Sequence, residues 1–188
     1  MRKLSSFTQV SLDGYFVDAK GDMSWAKPKE VDEEWQSFVG GNAGSGGELL
    51  FGRVTYQMMA AFWPSPTAAQ MDPKVAGHIN ALPKIVFSRT LEKAEWNNTR
   101  LIKSDLVEGV RRLKQDAGPH LVVLGSGSVV SQLAQAGLVD EFQMVVNPVV
   151  LGKGRTPFET VTDRLKLKLA RSRTFRNGNV LVCYEPRE

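Results

Sequence analysis

The chain has 188 residues, 42% of them hydrophobic, with 24 basic and 20 acidic side chains and a formal net charge of +4. That composition suits one domain with a substantial core, since no Pro/Ser-rich linker or charge block divides it, and the mild charge does not point to nucleic acid. No stretch is apolar and long enough for a membrane span, MRKLSSFTQVSLDGYF is too interrupted by polar residues for a secretory signal, and the single Cys183 excludes an internal disulfide framework and fits a reducing cytoplasm.

The first predicted element is a strand over 3–11 (KLSSFTQVS), built of β-formers in partial alternation. VDEEWQSFV (31–39) then sets Val31, Trp35, Phe38 and Val39 on one helical face. GGNAGSGG (40–47) has five glycines in eight residues and reads as a flexible connection into a short buried strand, ELLF (48–51). RVTYQMMAAFW (53–63) reads as a helix stopped by Pro64-Ser65-Pro66, and a second helical segment covers about 67–80, before Pro83. KIVFS (84–88) is a buried strand, and 100–102 an edge strand. DLVEGVRRLKQD (105–116) spaces Leu106, Val110 and Leu113 at helical intervals and is closed by Gly118-Pro119. HLVVLG (120–125) is strand, SVVSQLAQAG (128–137) helix, and DEFQMVVNPVVLG (140–152) a strand running into a loop. KLKLARSRTF (166–175) and NVLVCYE (179–185) flank Arg176-Asn177-Gly178, whose Asn-Gly pair supplies the positive-φ positions of a tight hairpin. The basic residues from Arg164 to Arg176 alternate with apolar ones, as in a strand with its charged face in water. One aromatic, Phe175, makes no stacking platform for a single nucleic-acid strand.

Strands alternating with helices predict an α/β fold: a mostly parallel mixed sheet, helices on both faces, and a C-terminal antiparallel hairpin. Ligands of such sheets bind beyond the carboxyl ends of the strands. Three junctions fall there. In LLFGRVTYQ, Gly52 turns the chain, and Arg53 and Thr55 enter the first helical turn, where free amides and the helix dipole favour an anion. In VFSRT, Ser88, Arg89 and Thr90 follow a buried strand with no acidic residue beside them, which suits a 2′-phosphate over a ribose hydroxyl and so NADPH over NADH. The third junction, Gly125-Ser126-Gly127-Ser128, matches neither the dinucleotide fingerprint nor a Walker loop, and gains weight only beside the other two. For each junction a plain turn or polar loop is the competing reading.

Taken together, SLDGYFVD, FGRVTYQMM, KIVFSRT, HLVVLGSGSVVSQLAQAGLVDEF and NPVVLGKGRTPF cover almost the whole length. With these pieces the chain resembles the dihydrofolate reductase-like superfamily, and within it the group related to the C-terminal reductase domain of the bifunctional riboflavin-biosynthesis protein. The resemblance implies a three-layer Rossmann-like domain over 1–188 that binds NADPH and passes hydride to a small heterocyclic or sugar-derived substrate. Carried over by motif, Arg53 and Thr55 contact cofactor phosphates, and Ser88, Arg89 and Thr90 lie by the 2′-phosphate. Gly125 to Ser128, continuing into Val129, line the pyrophosphate and nicotinamide. Ser11 to Val17, including Phe16, border nicotinamide and substrate. The resemblance also implies a homodimer. The expected reaction is closest to 5-amino-6-(5-phosphoribosylamino)uracil reduction or dihydrofolate-type reduction. The alternative is a nucleotide-binding protein without the pathway activity: a sensor, an interaction module or a reductase of xenobiotics.

Hydride transfer needs a polarised or protonated acceptor, hence a nearby acid. Dihydrofolate reductases use a helix carboxylate three residues before a Trp; here Asp32 stands three before Trp35, with Trp25 upstream. The intervening Lys27-Pro28-Lys29-Glu30 leaves Glu33 and Glu34 as alternatives, and a helix-capping role for Asp32 stands beside the catalytic one. Asp13 is a second candidate, against a turn aspartate bonded to its own backbone. Lys153 and Arg155, set among glycines, suit an anionic substrate group such as a ribose phosphate, against a solvated loop. His78, His120 and Cys183 lie too far apart in sequence for a metal-ligand spacing, and no deaminase zinc set is present. Trp63 reads as a packing residue or a pocket wall.

Overall fold

The computed structural model describes residues 1–26 and 32–187; Val31 and the 27–30 segment discussed above lie outside them. The chain opens with β1 (Leu4–Ser11), a short β2 (Val17–Asp18) and a 3-10 turn at Ser24–Ala26. Next come α1 (Glu33–Ala43), β3 (Glu48–Gly52), α2 (Arg53–Phe62), α3 (Pro66–Met71) and α4 (Pro73–Ala81). The second half runs through β4 (Lys84–Phe87), β5 (Thr99–Ile102), α5 (Leu106–Gln115), β6 (Leu121–Leu124) and α6 (Gly127–Gln135). It closes with β7 (Glu141–Asn147), β8 (Gly154–Arg155), β9 (Leu167–Thr174) and β10 (Val180–Pro186).

Eight strands form one sheet in the order β5-β4-β3-β6-β1-β7-β10-β9. The first six are mutually parallel, and β10 runs antiparallel to both β7 and β9. β2 and β8 make a separate two-stranded ribbon, which the sequence reading did not anticipate. Because successive side chains of a strand face opposite ways, register sorts the core into two layers. Leu4, Leu50, Ile85, Val123 and Phe142 face α5 and α6, which contribute Val110, Leu113, Val130 and Leu133. On the other face, Leu49, Phe51 and Val86 pack against Tyr56 of α2 and Val75 and Ile79 of α4, while Val145 and Leu181 meet Trp35 of α1.

Three local expectations change. α1 does not end at Val39 but runs through Gly40 and Gly41 to Ala43, so 40–47 is not one flexible connection. Tertiary contact outweighs glycine's weak helix propensity here: Trp35, Phe38 and Val39 bury one face, and a Cβ at Gly40 would stand 3.9 Å from Val75 of α4. The single helix expected at 67–80 is two, broken at Asp72, which is extended because Pro73 follows. The Asp72 side chain then accepts a bond from Val75 N and starts α4. In the β9–β10 hairpin only Gly178 takes positive φ; the loop closes through Phe175 N to Asn179 O, and Asn177 accepts from Asn179 N.

Candidate functional site

Side-chain caps divide the helices. Asp32, Ser65, Asp72 and Asp105 accept backbone N–H bonds at the starts of α1, α3, α4 and α5. α2 and α6 have no such bond. Both begin at the carboxyl ends of adjacent strands, β3 and β6, and each leaves its first turn and positive dipole end without a side-chain acceptor. Gly52 N donates to Ser126 Oγ at 3.1 Å, so the serine that could cap α6 ties the two junctions together instead. Gly125 and Ser126 carry φ of 58° and 53°, two consecutive left-handed residues that reverse the chain between β6 and α6. Arg53 is the first residue of α2, a cation at the positive end of a helix, which the dipole disfavours. Its Nη1 donates to Gln57 Oε1 at 3.0 Å, and among the described residues it has no carboxylate partner.

These junctions open on a cavity of about 930 Å³ that runs along the sheet face beneath α1 and α2. It brings together Gly52, Arg53, Thr55, Gly125, Ser126, Gly127, Ser128, Phe16, Val17 and Arg155. Val129 stands directly behind: a Cβ at Gly52 would come within 3.0 Å of its methyl. Phe16 lies against the start of α6, where a Cβ at Gly127 would fall 2.5 Å from the ring, so only glycine lets the two meet. The β2–β8 ribbon holds Phe16 there, with the Arg155 guanidinium 6.0 Å from its ring centre. Sequence reasoning passed over Gln9, Met23, Val54 and Met58, which also line the cavity, and Trp63 is a wall of it. Val54 and Met58 are 70% and 46% exposed, an unusual state for apolar side chains on a helix start, and the one sign of them available without coordinates was their place just after the Gly52 turn.

Ser88, Arg89 and Thr90 lie one strand outward, at the end of β4, and do not line this cavity. Ser88 Oγ accepts from Thr90 N and Leu91 N, and Arg89 reaches Asp105 at 3.7 Å with both side chains exposed. Lys153 is exposed and also outside the cavity, while Arg155 pairs with Glu159 at 2.9 Å.

The two candidate carboxylates differ sharply. Asp13 accepts from Ser11 Oγ at 2.6 Å, Leu151 N at 3.1 Å and Gly152 N at 2.7 Å. The Ser11 hydroxyl, aided by the two amides, holds its carboxyl below the ordinary value. It is therefore an anionic clasp between the β1 loop and the loop after β7, bonded to a distant backbone as well as to its own turn. Ser11 serves the same clasp, since its Oγ also accepts from Tyr15 N. Asp32 divides its two oxygens. Oδ1 caps α1 by accepting from Glu34 N and Trp35 N, whereas Oδ2 is buried with no partner among the described residues. Trp25 Nε1 and Gln9 Oε1 are also buried with no partner among the described residues. Unsatisfied buried polar atoms are costly and rare; Thr8 Oγ1 is a fourth, and of these residues Thr8 and Gln9 line the cavity whereas Trp25 and Asp32 do not. Glu34, the neighbouring alternative, is engaged by Arg173, which with the Arg176 amide lowers its carboxyl.

The model of the RibD C-terminal domain matches residues 2–181. The chain belongs to the RibD C-terminal domain family. A relative in Bacillus subtilis (strain 168), the uncharacterized protein YyaP, is 29% identical over 175 residues, spanning 93% of this chain and 90% of YyaP. Among solved structures, a diaminohydroxyphosphoribosylaminopyrimidine deaminase/5-amino-6-(5-phosphoribosylamino)uracil reductase from Thermotoga maritima superposes with a TM-score of 0.70 at 19% identity. The match covers 99% of this chain and 57% of that one. Dihydrofolate reductase from Enterococcus faecalis, complexed with NADP(H) and RAB-propyl, superposes with a TM-score of 0.66 at 14% identity, covering 99% of this chain and 97% of that one. The RibD C-terminal domain of this chain thus has the dihydrofolate reductase-like fold anticipated from its motifs.

Proposed function

We propose that this RibD C-terminal domain is an NADPH-dependent reductase of a small heterocyclic substrate. The observation that carries the reading is the pair of helices without side-chain caps, α2 and α6, opening on one cavity with an arginine that has no carboxylate partner among the described residues. That donor set fits a phosphate-bearing cofactor: Arg53 can hold one phosphate through two hydrogen bonds, with Thr55 and the first-turn amides beside it. The Gly125–Ser128 turn takes the pyrophosphate, and Ser88 and Arg89, lying further out along the sheet edge, take the 2′-phosphate. When bound, NADPH supplies the hydride. The chain's own part is to shield the acceptor with Phe16 and to polarise it through a proton at Asp32 Oδ2, the carboxylate oxygen left free by the cap. Asp13 holds the loop and takes no part in proton transfer.

Separate titrations with NADPH and NADH test the reading by quenching of tryptophan fluorescence. Saturation by NADPH at low micromolar concentration and much weaker binding of NADH are expected. Failure of both to bind would remove the proposal; tight NADPH binding with no turnover of any heterocycle would favour the nucleotide-sensing alternative.

A further inference from the structure

The central strands of a parallel sheet are normally buried on both faces, and β6 and β1 are not. On the α5–α6 face, Leu121 and Val123 of β6 and Leu4 of β1 are 0% exposed. On the opposite face of the same strands, Val122, Leu124, Ser5, Phe7 and Gln9 are only partly buried, whereas the adjacent β3 is buried from Glu48 to Phe51. The reason lies in the helices above. α2 and α4 pack over β3 and β4, α1 packs over β7 and β10, and the two groups meet through small residues. Gly40 of α1 and its C-cap, Gly44, approach α4 so closely that a Cβ would stand 3.9 Å from Val75 and 3.2 Å from His78. Glycine and Ala43 at this contact bring the helices together without covering the strands, and a roofed groove remains. Val122 and Leu124 are its floor, and Ala43, Ile79, Leu82 and Met59 its walls. It is continuous with the Gly52 and Gly125 junctions and belongs to the same cavity of about 930 Å³, near the top of the range of about 300–1,000 Å³ usual for ligand pockets. From Gly125 back to His120 it follows β6 for about 17 Å at the usual rise per residue. Asp32, where the 27–31 segment joins α1, stands about 16 Å along the helix from Ala43, so the far half of the groove is bounded by described residues. Its far mouth is polar, with Asn42, Ser45, His120 and the Arg171–Glu141 pair.

We infer that this groove holds an extended apolar chain, and that the acceptor is a heterocycle bearing one, its ring at the carboxyl ends of the strands and its substituent laid along β6 under α1. The identity of the chain as part of the acceptor rests on the reductase reading above; the groove as a site for such a chain does not. Methylenes laid on Val122 and Leu124 would complete the burial that the centre of the sheet lacks on this face alone. Their far end would stop at the polar mouth around His120 and Asn42.

The test uses the unbranched primary alcohols from hexanol to nonanol, which should displace the neutral fluorophore N-phenyl-1-naphthylamine, with and without saturating NADPH. Each added methylene should tighten binding about fourfold, and equally in both conditions, because the groove lies beyond the cofactor's place. Ala43→Phe, which fills the groove from α1, should weaken nonanol roughly tenfold or more. Val122→Thr, which keeps the shape of the strand residue and sets a hydroxyl in the floor, should weaken it roughly threefold or more. Both variants should retain NADPH binding and the far-UV dichroism of the folded chain. No displacement by any alcohol from the folded protein would overturn the inference. So would alcohol binding that both substitutions leave unmoved, or that NADPH abolishes. Alcohol binding with no affinity for NADPH would keep the groove and strike the reductase reading instead.

Discussion

The two ends of the central sheet treat charge in opposite ways. At the amino ends of the strands, every buried charge is answered within the chain. Arg2 donates to Glu48 at 2.6 Å and to Pro119 O at 2.5 Å, Arg100 adds a second cation to Glu48, and Lys114 holds Asp140 at 2.5 Å. Lys84, 1% exposed, gives its protons to the carbonyls of Asn80, Leu82 and Asn97. At the carboxyl ends, α2 and α6 start without side-chain caps, and among the described residues Arg53 finds only an amide and Asp32 keeps one oxygen unpartnered. One end is internally neutralised and serves the fold. The other leaves its helix starts without side-chain caps.

The contrast can be broken most violently at the closed end. Glu48→Ala strands Arg2 in the interior, and loss of one partner of a buried pair costs about 3 kcal/mol or more. Urea unfolding should show that loss, with NADPH affinity of the folded protein retained; a loss below about 1 kcal/mol would mean the amino-end pairs behave as surface pairs do. At the open end Arg53→Ala should reverse the pattern. NADPH binding should weaken by about 1.5–3 kcal/mol, the worth of a hydrogen bond to a charged group, while stability without ligand shifts by no more than about 0.5 kcal/mol. A smaller effect is expected from Gly125→Ala. The added Cβ has room, its nearest neighbour being Thr55 at 3.8 Å, so the cost is the left-handed backbone alone, about 1–2 kcal/mol.

The smallest effects are slopes with pH, one from each end. Asp13 titrates below its ordinary value in the folded protein, so its stabilising contribution is full above the unfolded value and drains away as pH falls through the folded one. Asp13→Asn should flatten that acid limb. Burial pushes the Lys84 ammonium down to about 8 from 10.5. Between those values the unfolded chain holds more protons, so this residue makes stability rise with pH, a rise that Lys84→Met should abolish.

Much of this layout was legible in the residues. Apolar runs such as ELLF, KIVF and LVVL announced a parallel sheet, and each glycine or serine after them marked a carboxyl-end turn. The break at Asp72-Pro73 was present as a proline in the middle of a helical pattern, and was missed because flanking alanines favour a helix on both sides. The passage of α1 through Gly40-Gly41 could not be seen, since only the approach of α4 makes that turn of helix worthwhile. Gln9 was overlooked for a related reason: alternate polar residues on a strand normally face water, and the strand order alone places this one under α1. The division of labour within Asp32, one oxygen for the helix and one free, is a matter of angles that no spacing rule carries. A serine before a helix ordinarily caps it, whereas the Ser126 hydroxyl accepts from Gly52 N instead, a link that spacing does not show.

One edge of the sheet has a further consequence. β9 is eight residues long and exposed along nearly all of its length, the sort of unpaired edge on which another strand could grow. Lys168, Arg171 and Arg173 stand along it, each already neutralised by a carboxylate of its own chain: Glu185, Glu141 and Glu34. Charged side chains along an exposed edge strand oppose the pairing of a further strand there.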